Sequence, residues 1–283
     1  MKMFVSDLDG TLLNGFHSLD SRILKSIDLA LNNNDRFVVA TGRTYQESAI
    51  MLDLQERPIF FINNNGALIT NSQGKILFEQ QIPSEIIEDL LTQFPELAFD
   101  FITKDENYIN VTKEQYMGSF HSVTGIRRFI AKNLGKKVIN QFLAARKFDQ
   151  TNETILAQSI IKVNCRMTDP QLTTKFNDYL AQLPMIENHP FAPGVYELTY
   201  KGVSKGNAVE KLRQQWQIDT EKVYVFGDGG NDIDMLAKYQ NSYATRNGSE
   251  EAKAAANYTI GYNWNYAVPR EIEKIIRRSS LSE

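Results

Sequence analysis

Two aspartates near the amino terminus are the residues whose types and spacing most directly indicate chemistry. The apolar run Phe4-Val5 leads through Ser6 into Asp7-Leu8-Asp9-Gly10-Thr11, so both carboxylates follow the end of a predicted strand. Carboxylates this close repel each other unless a cation lies between them, and a divalent cation with oxygen ligands meets that need. The other interpretation is an acidic turn after an edge strand.

A second acidic segment lies far along the chain and has the same form. A short buried-strand pattern over Lys222–Phe226 runs directly into Gly227-Asp228-Gly229-Gly230-Asn231-Asp232. The segment is not a dinucleotide-binding fingerprint, because Asp232 occupies the position of the third glycine, and the sequence contains no P-loop motif. Open α/β sheets bind ligands at the carboxyl ends of their strands. We therefore expect the two segments to form one composite magnesium site.

The residue types in these segments are suited to phosphoryl transfer, which needs a nucleophile, charge neutralisation and a proton shuttle. Asp7 can attack phosphorus and form an aspartyl-phosphate, which water then hydrolyses. Asp9 can protonate the leaving oxygen and later deprotonate the attacking water, a role for a carboxyl group near the metal. We predict Asp7 as the nucleophile and Asp9 as the general acid and base.

Phosphate binding is predicted at the end of a neighbouring strand, where Phe37–Ala40 runs into Thr41-Gly42-Arg43. The hydroxyl of Thr41 can donate to a phosphate oxygen, alongside the loop amides of Leu8 to Gly10. The simpler interpretation of Thr41-Gly42-Arg43 is an ordinary turn.

Charge neutralisation is predicted to fall to Lys205, which can offset the combined charge of phosphate and carboxylates. Asp228 can coordinate the metal, with Asn231 and Asp232 in or near its shell. The alternatives are a solvated lysine at the start of a helix for Lys205 and a helix cap for Asp232.

The surrounding pattern predicts strands alternating with helices, which indicates βαβ units and a mostly parallel sheet. Ser21 and Ser249 are the predicted N-caps of two of the helices. The pattern changes at Gln80-Gln81-Ile82-Pro83, and from there to about residue 199 it is typical of a mixed α+β insertion. We predict an α/β core formed by residues 1–81 and 200–283, interrupted by an α+β domain at 82–199.

Composition excludes several classes of function. The net charge of −3 comes from 31 basic and 34 acidic residues without a basic block, so no nucleic-acid surface is indicated. No apolar run approaches a membrane span, and the start of the chain carries no signal-peptide pattern. With a single cysteine, Cys165, the chain has no internal disulfide. We expect a cytoplasmic protein with a small-molecule substrate.

Together these motifs resemble those of the haloacid dehalogenase (HAD) superfamily. Asp7-x-Asp9-Gly10-Thr11 resembles its first motif, Thr41 the second, Lys205 the third, and Gly227-Asp228-x-x-Asn231-Asp232 the fourth. The order of the motifs, with a large insertion between the second and third, is similar to Cof-type sugar phosphatases with a type-two (C2) cap. The resemblance implies a Rossmann-like, doubly wound core with a mobile cap, and a phosphatase that uses Mg²⁺.

The resemblance extends to Asn65-Gly66-Ala67 and to the region of Asn247, where Ala244-Thr245-Arg246-Asn247-Gly248 departs from the family's A-M-G-N-A pattern. The predicted metal ligands are Asp7, Asp9, Asp228 and Asp232. The predicted phosphate or substrate contacts are Leu8, Gly10, Gly42, Arg43, Asn65, Asn231 and Asn247.

Three functions are compatible with these residues. The first is a magnesium-dependent phosphatase of small phosphorylated metabolites such as sugar phosphates. The second is a phosphomutase of the same superfamily, and the third is a non-catalytic regulator that binds a phosphorylated metabolite. The complete set of Asp7, Asp9, Lys205 and Asp228 argues against the third. The oligomeric state cannot be predicted from the sequence.

Overall fold

The chain divides into two compact units in a computed structural model that describes residues 1–16, 18–52, 57–121, 143–188 and 194–280. The first unit is formed by residues 1–79 and 203–283, and the second by residues 80–202. These limits lie two and three residues outside the predicted insertion at 82–199, parts of which fall outside the described residues.

An eight-stranded sheet forms the centre of the first unit, in the order β14-β13-β12-β1-β2-β3-β4-β5. The strands from β14 to β3 in this order are parallel to their neighbours, whereas β4 and β5 pair antiparallel. This α/β sheet confirms the predicted fold class. The strands are β1 Met3–Ser6, β2 Arg36–Ala40, β3 Phe60–Asn63, β4 Leu68–Asn71, β5 Ile76–Glu79, β12 Val223–Gly227, β13 Asn241–Ala244 and β14 Tyr258–Thr259.

Helices cover both faces of this sheet, because successive apolar side chains along each strand point to opposite faces and both sets must be buried. Phe4 of β1 packs with helices α1 and α10, while Met3 and Val5 pack with α7, α8 and α9 on the opposite face. Such burial on both sides is characteristic of a doubly wound sheet. The helices of this unit are α1 Ser21–Asn32, α2 Tyr45–Leu52, α7 Lys205–Gln215, α8 Ile233–Lys238, α9 Glu250–Ala255 and α10 Ala267–Ser280.

The two predicted helix caps had different outcomes. Ser249 caps α9 through its side chain, which accepts a hydrogen bond from the Ala252 amide at 3.1 Å. The prediction for Ser21 was wrong, because the cap of α1 is Asp20, whose carboxylate accepts from the amides of Arg22 and Ile23. A carboxylate at the N-cap also interacts favourably with the helix dipole.

The second unit contains a six-stranded sheet in the order β10-β11-β9-β6-β7-β8, antiparallel except for the pairing of β7 with β8. Helices α3 and α6 cover one face of it with an apolar cluster that includes Leu90, Phe99, Val163 and Phe176. The strands are β6 Asp100–Ile102, β7 Asn107–Ile109, β8 Arg146–Lys147, β9 Lys162–Arg166, β10 Ile186–Asn188 and β11 Val195–Tyr200. The helices are α3 Ser84–Gln93, α4 Lys113–His121, α5 Asn152–Leu156 and α6 Pro170–Ala181. Among the described helices of both units, none is both long and apolar enough to cross a membrane.

Candidate active site

Four neighbouring parallel strands of the first unit end at one edge of the sheet, and polar residues follow each of them. Asp228 follows β12, Asp7 follows β1, Thr41 follows β2, and the asparagines Asn64 and Asn65 follow β3. The carboxyl ends of parallel strands lie side by side, so residues more than 200 positions apart in the sequence meet here. The predicted site residues converge at this edge.

A buried lysine joins two of the aspartates. The Lys205 Nζ donates to Asp7 Oδ1 and to Asp232 Oδ1, both at 2.7 Å, and its side chain is fully buried. Lys205 is the first residue of α7, and the preceding Ser204 caps that helix by accepting from the Asn207 amide. The alternative of a solvated lysine is therefore excluded.

Asp232 also fixes the loop that carries Asp228. Its second oxygen, Oδ2, accepts from the backbone amides of Asp228 at 2.9 Å and Gly229 at 3.0 Å. An added Cβ at Gly227 would lie 2.6 Å from the Cβ of Asp232, so glycine is required for this close approach. Asp232 precedes helix α8, but its side chain forms no capping hydrogen bond to that helix and instead contacts Lys205 and the Asp228 loop.

Asp228 lies against the first acidic loop. The hydroxyl of Thr11 donates to Asp228 Oδ1 at 2.8 Å. Gly10 has a φ of +82°, and a Cβ there would lie 2.2 Å from Asp228 Oδ2. Glycine at position 10 thus allows the loop to pass the carboxylate. The role of Thr11 was not predicted, although its place in the first motif marks it as a candidate.

Asp9 does not join the other carboxylates. Its side chain forms a paired contact with Arg43, whose Nε donates to Asp9 Oδ2 at 2.6 Å and whose Nη2 donates to Oδ1 at 2.5 Å. The segment Leu8–Leu12 forms a helical turn, but the backbone of Asp9 within it is extended, with φ −80° and ψ 118°. Its assignment as a metal ligand stays a prediction that this side-chain geometry does not support.

The predicted phosphate contacts surround the same edge. The Thr41 hydroxyl accepts from the Arg43 amide at 3.2 Å, and Asn231 Nδ2 donates to Asn65 Oδ1 at 3.1 Å. A Cβ at Gly42 would lie 3.0 Å from Asn65 Oδ1, so Gly42 passes close to this amide pair. Leu8 differs from these residues, because its side chain belongs to the apolar core and only its main chain can face a ligand.

Asn247 positions loops through both ends of its side chain. Its Nδ2 donates to the Gly10 carbonyl at 2.7 Å, and its Oδ1 accepts from the Asn263 amide at 3.0 Å. Asn263 Nδ2 in turn donates to the Leu13 carbonyl at 3.0 Å. The sequence analysis did not select Asn263, which links the Asn247 segment to the first acidic loop. A substrate contact by Asn247 stays a prediction.

Burial and mutual repulsion perturb the ionisable groups. Burial raises the pKa of Asp7 well above its usual range; the Lys205 ammonium opposes this rise, whereas Asp232 and Asp228 add to it. Burial likewise raises the pKa of Asp228 to about 6, although the hydrogen bond from Thr11 opposes the shift. For Lys205, burial favours the neutral form, but Asp232 and Asp7 outweigh it and keep its pKa above the usual value.

The donor set fits a hard divalent cation. One carboxylate oxygen from each of Asp7, Asp228 and Asp232 lies within 4.8 Å of the others. With Asp9 included, four carboxylates face two cations, Lys205 and Arg43, which leaves two negative charges at this edge. Carboxylate oxygens are the ligands that Mg²⁺ prefers, and a divalent ion would balance this excess.

Comparisons with known proteins agree with this geometry. A family model described as haloacid dehalogenase-like hydrolase matches residues 4–272. The chain is 26% identical over 288 residues to the 5-amino-6-(5-phospho-D-ribitylamino)uracil phosphatase of Escherichia coli, covering 99% of this chain and 98% of that one.

Solved structures share the fold over nearly the whole chain. A haloacid dehalogenase-like hydrolase from Bacteroides thetaiotaomicron has a TM-score of 0.77 at 23% identity, covering 97% of this chain and 99% of the other. A HAD subclass IIB sugar phosphatase has a TM-score of 0.73 at 22% identity, with coverages of 97% and 99%. The predicted superfamily and the prediction of a phosphatase are confirmed, and the chain belongs to the haloacid dehalogenase-like hydrolases.

Proposed function

We propose that this protein is a Mg²⁺-dependent phosphatase that hydrolyses small phosphorylated metabolites, sugar phosphates among them, in the cytoplasm. The observation that carries the proposal is the excess of negative charge where Asp7, Asp228 and Asp232 converge beside a single ammonium group. Such a site is completed by a cation and a phosphate rather than by the protein alone. A relative named as a phosphatase of a phosphorylated ribityl compound and a structural neighbour described as a sugar phosphatase support the substrate class.

The metal would be held by Asp7, Asp228 and Asp232, and when bound it would offset the charge of the phosphate oxygens. Lys205 holds Asp7 through a 2.7 Å hydrogen bond, which fixes the orientation of the attacking carboxylate. Because Lys205 is itself held by Asp232, the nucleophile has a defined position before substrate arrives.

The proposed reaction has two displacements at phosphorus. An Asp7 oxygen forms a bond to phosphorus while the ester bond to the leaving oxygen breaks, and protonated Asp9 gives its proton to that oxygen. Water then attacks phosphorus, its proton passes to Asp9, and the bond between Asp7 and phosphorus breaks. Inorganic phosphate is released, and both carboxyl groups return to their starting states.

Arg43 would connect phosphate binding to proton transfer. Its guanidinium holds Asp9, and a phosphate anion competes for the same donors. Binding of substrate would therefore release Asp9 to act on the leaving oxygen. The Thr41 hydroxyl, which accepts from the Arg43 amide, can donate its own proton to the phosphate. The resemblance to capped phosphatases assigns recognition of the leaving group to the inserted unit.

The test is phosphate release from acetyl phosphate and p-nitrophenyl phosphate, with Mg²⁺ and with EDTA. Asp7→Asn should lower kcat by about 10⁴-fold or more, because the amide cannot attack phosphorus. The matched control is Asp35→Asn, which changes a buried aspartate at the start of β2, at the opposite ends of the strands. It should retain turnover.

Several results would contradict the proposal. Retention of more than a few per cent of kcat in Asp7→Asn, free of deamidation, would remove Asp7 as the nucleophile. Full activity of the wild-type protein in EDTA would remove the metal. Absence of phosphate release from any phosphorylated metabolite would favour the binding regulator, whereas transfer of the phosphoryl group back to a sugar would favour the mutase.

A further inference from the structure

The turn that follows β3 contains three consecutive residues with a left-handed backbone. Asn64, Asn65 and Gly66 have φ values of +48°, +57° and +109°. Residues other than glycine rarely adopt a positive φ, although asparagine tolerates it better than most. Such a run persists only where the surrounding structure holds it in place. Residues 64–66 are called the β3 turn below.

One side of the β3 turn is bonded to the predicted phosphate-binding segment. The Asn65 amide donates to the Thr41 carbonyl at 3.1 Å, and the Asn64 amide donates to the Arg43 carbonyl at 3.0 Å. Asn63, the last residue of β3, donates from its Nδ2 to the same Arg43 carbonyl at 3.2 Å. These three bonds fix the turn against the backbone of that segment.

The other side of the β3 turn lies against the start of the helix that carries Lys205. A Cβ added at Gly66 would lie 2.3 Å from the carbonyl oxygen of Ser204 and 2.8 Å from its carbonyl carbon. These two atoms belong to the peptide group that joins Ser204 to Lys205. The same carbonyl accepts from the Ala208 amide at 3.0 Å, within the first turn of α7. Because the contacted atoms are backbone atoms, a side chain at position 66 would require the start of α7 to move.

A shift at the start of α7 would reach the ammonium group of Lys205. The Lys205 side chain is fully buried, and its Nζ lies 2.7 Å from an oxygen of Asp7 and 2.7 Å from an oxygen of Asp232. Two short bonds to separate carboxylates leave the side chain little freedom to compensate for a movement of its backbone. A displacement of about 1 Å in a positioned group can lower a rate by about 100-fold.

The β3 turn adopts this shape at a local cost. Asn64 is 1% exposed, and neither its Oδ1 nor its Nδ2 has a hydrogen-bond partner within the described part of the chain. A buried amide without partners disfavours the folded conformation, and so does a left-handed backbone at two asparagines. Strain of this kind is concentrated at functional sites, where it maintains a defined geometry.

We propose that Gly66 is a positioning residue for the reaction, because it allows the β3 turn to pack against the peptide group between Ser204 and Lys205. The turn thereby sets the position of the Lys205 ammonium relative to the phosphate-binding segment. Glycine has no side chain with which to contact a substrate or a metal, so its effect on turnover passes through Lys205. The proposal rests on the activity and on the role of Lys205 proposed above.

The test is Gly66→Ala, assayed by phosphate release from acetyl phosphate at saturating Mg²⁺. The added methyl group should displace Lys205 and lower kcat by about 10- to 100-fold. KM should change by less than about threefold, as expected when the lost interaction acts on the transition state. A wild-type kcat in the folded variant would show that Gly66 serves packing alone and would overturn the proposal.

The matched control is Gly74→Ala, in the turn between β4 and β5. Gly74 has a φ of +75°, so alanine carries a similar backbone cost there, but the nearest atoms to its Cβ would be those of the Tyr45 side chain, at 3.2 Å or more. This control should lose about 2–8 °C in Tm from the backbone cost and keep the wild-type kcat. An equal loss of kcat in the two variants would overturn the proposal.

A double-mutant cycle with Lys205→Gln tests whether the effect passes through Lys205. In the Lys205→Gln background, Gly66→Ala should change kcat by less than about twofold, because the group that it displaces is already gone. Multiplication of the two single effects would show that Gly66 acts by another route and would overturn the proposal.

Hydrogen exchange of the Ala208 amide supplies a readout that does not require activity. Displacement of the Ser204 carbonyl weakens its bond to this amide, so the amide should exchange at least about tenfold faster in Gly66→Ala than in the wild type or Gly74→Ala. An unchanged rate would overturn the proposal, even if Lys205→Gln does not fold. If the wild-type protein does not hydrolyse acetyl phosphate, the proposed activity fails, while this measurement still tests the packing of Gly66 against α7.

A second variant covers the case in which Gly66→Ala does not fold. Asn64→Gly makes the β3 turn more flexible without adding an atom, because glycine adopts a positive φ at little cost and has more conformational freedom. It should show faster exchange of the Ala208 amide and a kcat lowered by about threefold or more. Wild-type values of both would overturn the proposal.

Discussion

The first unit and the inserted unit each bury a carboxylate beside a cation, Asp7 beside Lys205 and Asp100 beside Arg146. In the inserted unit Asp100 has three donors, and the pair is neutral. At the sheet edge of the first unit, Lys205 donates to both Asp7 and Asp232, and the Asp228 carboxylate accepts from the neutral hydroxyl of Thr11. Burial of charge is therefore common to both units, and only the balance of charge differs.

This difference separates structural clusters from candidate sites. A balanced, fully hydrogen-bonded pair needs nothing more, and breaking it leaves an uncompensated charge. An unbalanced cluster is complete only when a ligand of opposite charge is bound. The edge of the first unit lacks positive charge, which fits a metal ion. The three predictions below test whether the balance of charge distinguishes these clusters.

The largest effect is expected for Asp228→Ala, because it removes one ligand from the unbalanced cluster. Magnesium affinity should fall by at least about 100-fold, and turnover should recover partly at high Mg²⁺. The measurement is phosphate release as a function of Mg²⁺ concentration. Asp234→Ala is a matched control, because Asp234 accepts from the Gly206 amide and is not in the metal-binding group. The same titration midpoint for wild type and Asp228→Ala would show that Asp228 is not a ligand.

The second effect is expected in the balanced cluster, where a substitution should damage stability instead of activity. Asp100→Asn leaves Arg146 buried without its counter-charge and should cost about 3–5 kcal/mol of unfolding free energy. Chemical denaturation followed by circular dichroism measures it. Asp105→Asn changes a largely exposed aspartate of the same unit and should cost less than about 0.5 kcal/mol.

Equal stability of the Asp100→Asn protein and the wild type would mean that the inserted cluster is not a structural unit. The distinction between balanced and unbalanced clusters would then fail. A loss of stability in Asp100→Asn together with none in Asp228→Asn, measured without metal, would sharpen the distinction.

Much of the sheet edge could be predicted because it depends on strand ends. Apolar runs that stop at an aspartate or threonine mark where parallel strands end, and those ends must lie side by side. The meeting of Asp7, Asp228 and Thr41 follows from this rule alone. Lys205 could be placed at the start of a helix but not shown to be buried, because burial depends on which elements pack over it.

Other features depend on local backbone geometry that sequence patterns do not fix. Asp9 pairs with Arg43 because the loop turns at Gly10 with a positive φ, and spacing from Asp7 cannot indicate that direction. Asp20 rather than Ser21 caps α1, although both are common caps, because the helix begins one residue earlier than the pattern suggests.

The smallest effect concerns the pH dependence of stability without metal. Burial raises the pKa of Asp228 to about 6, above the value of about 4 expected in the unfolded chain. Between these values the folded protein binds the proton more tightly, so stability is greatest at low pH and is lost as pH rises through 6. In EDTA, the wild-type protein should lose on the order of 2 kcal/mol of unfolding free energy between about pH 4 and 7 from this group.

Asp228→Asn should remove that part of the slope, because asparagine does not titrate. Added Mg²⁺ should remove it as well, because the bound cation favours the ionised carboxylate. If unfolding free energy changes with pH equally in wild type and Asp228→Asn, its pH dependence comes from other groups. If the wild-type protein instead becomes more stable as pH rises, the metal-free cluster of Asp7, Asp228 and Asp232 does not carry an excess of negative charge.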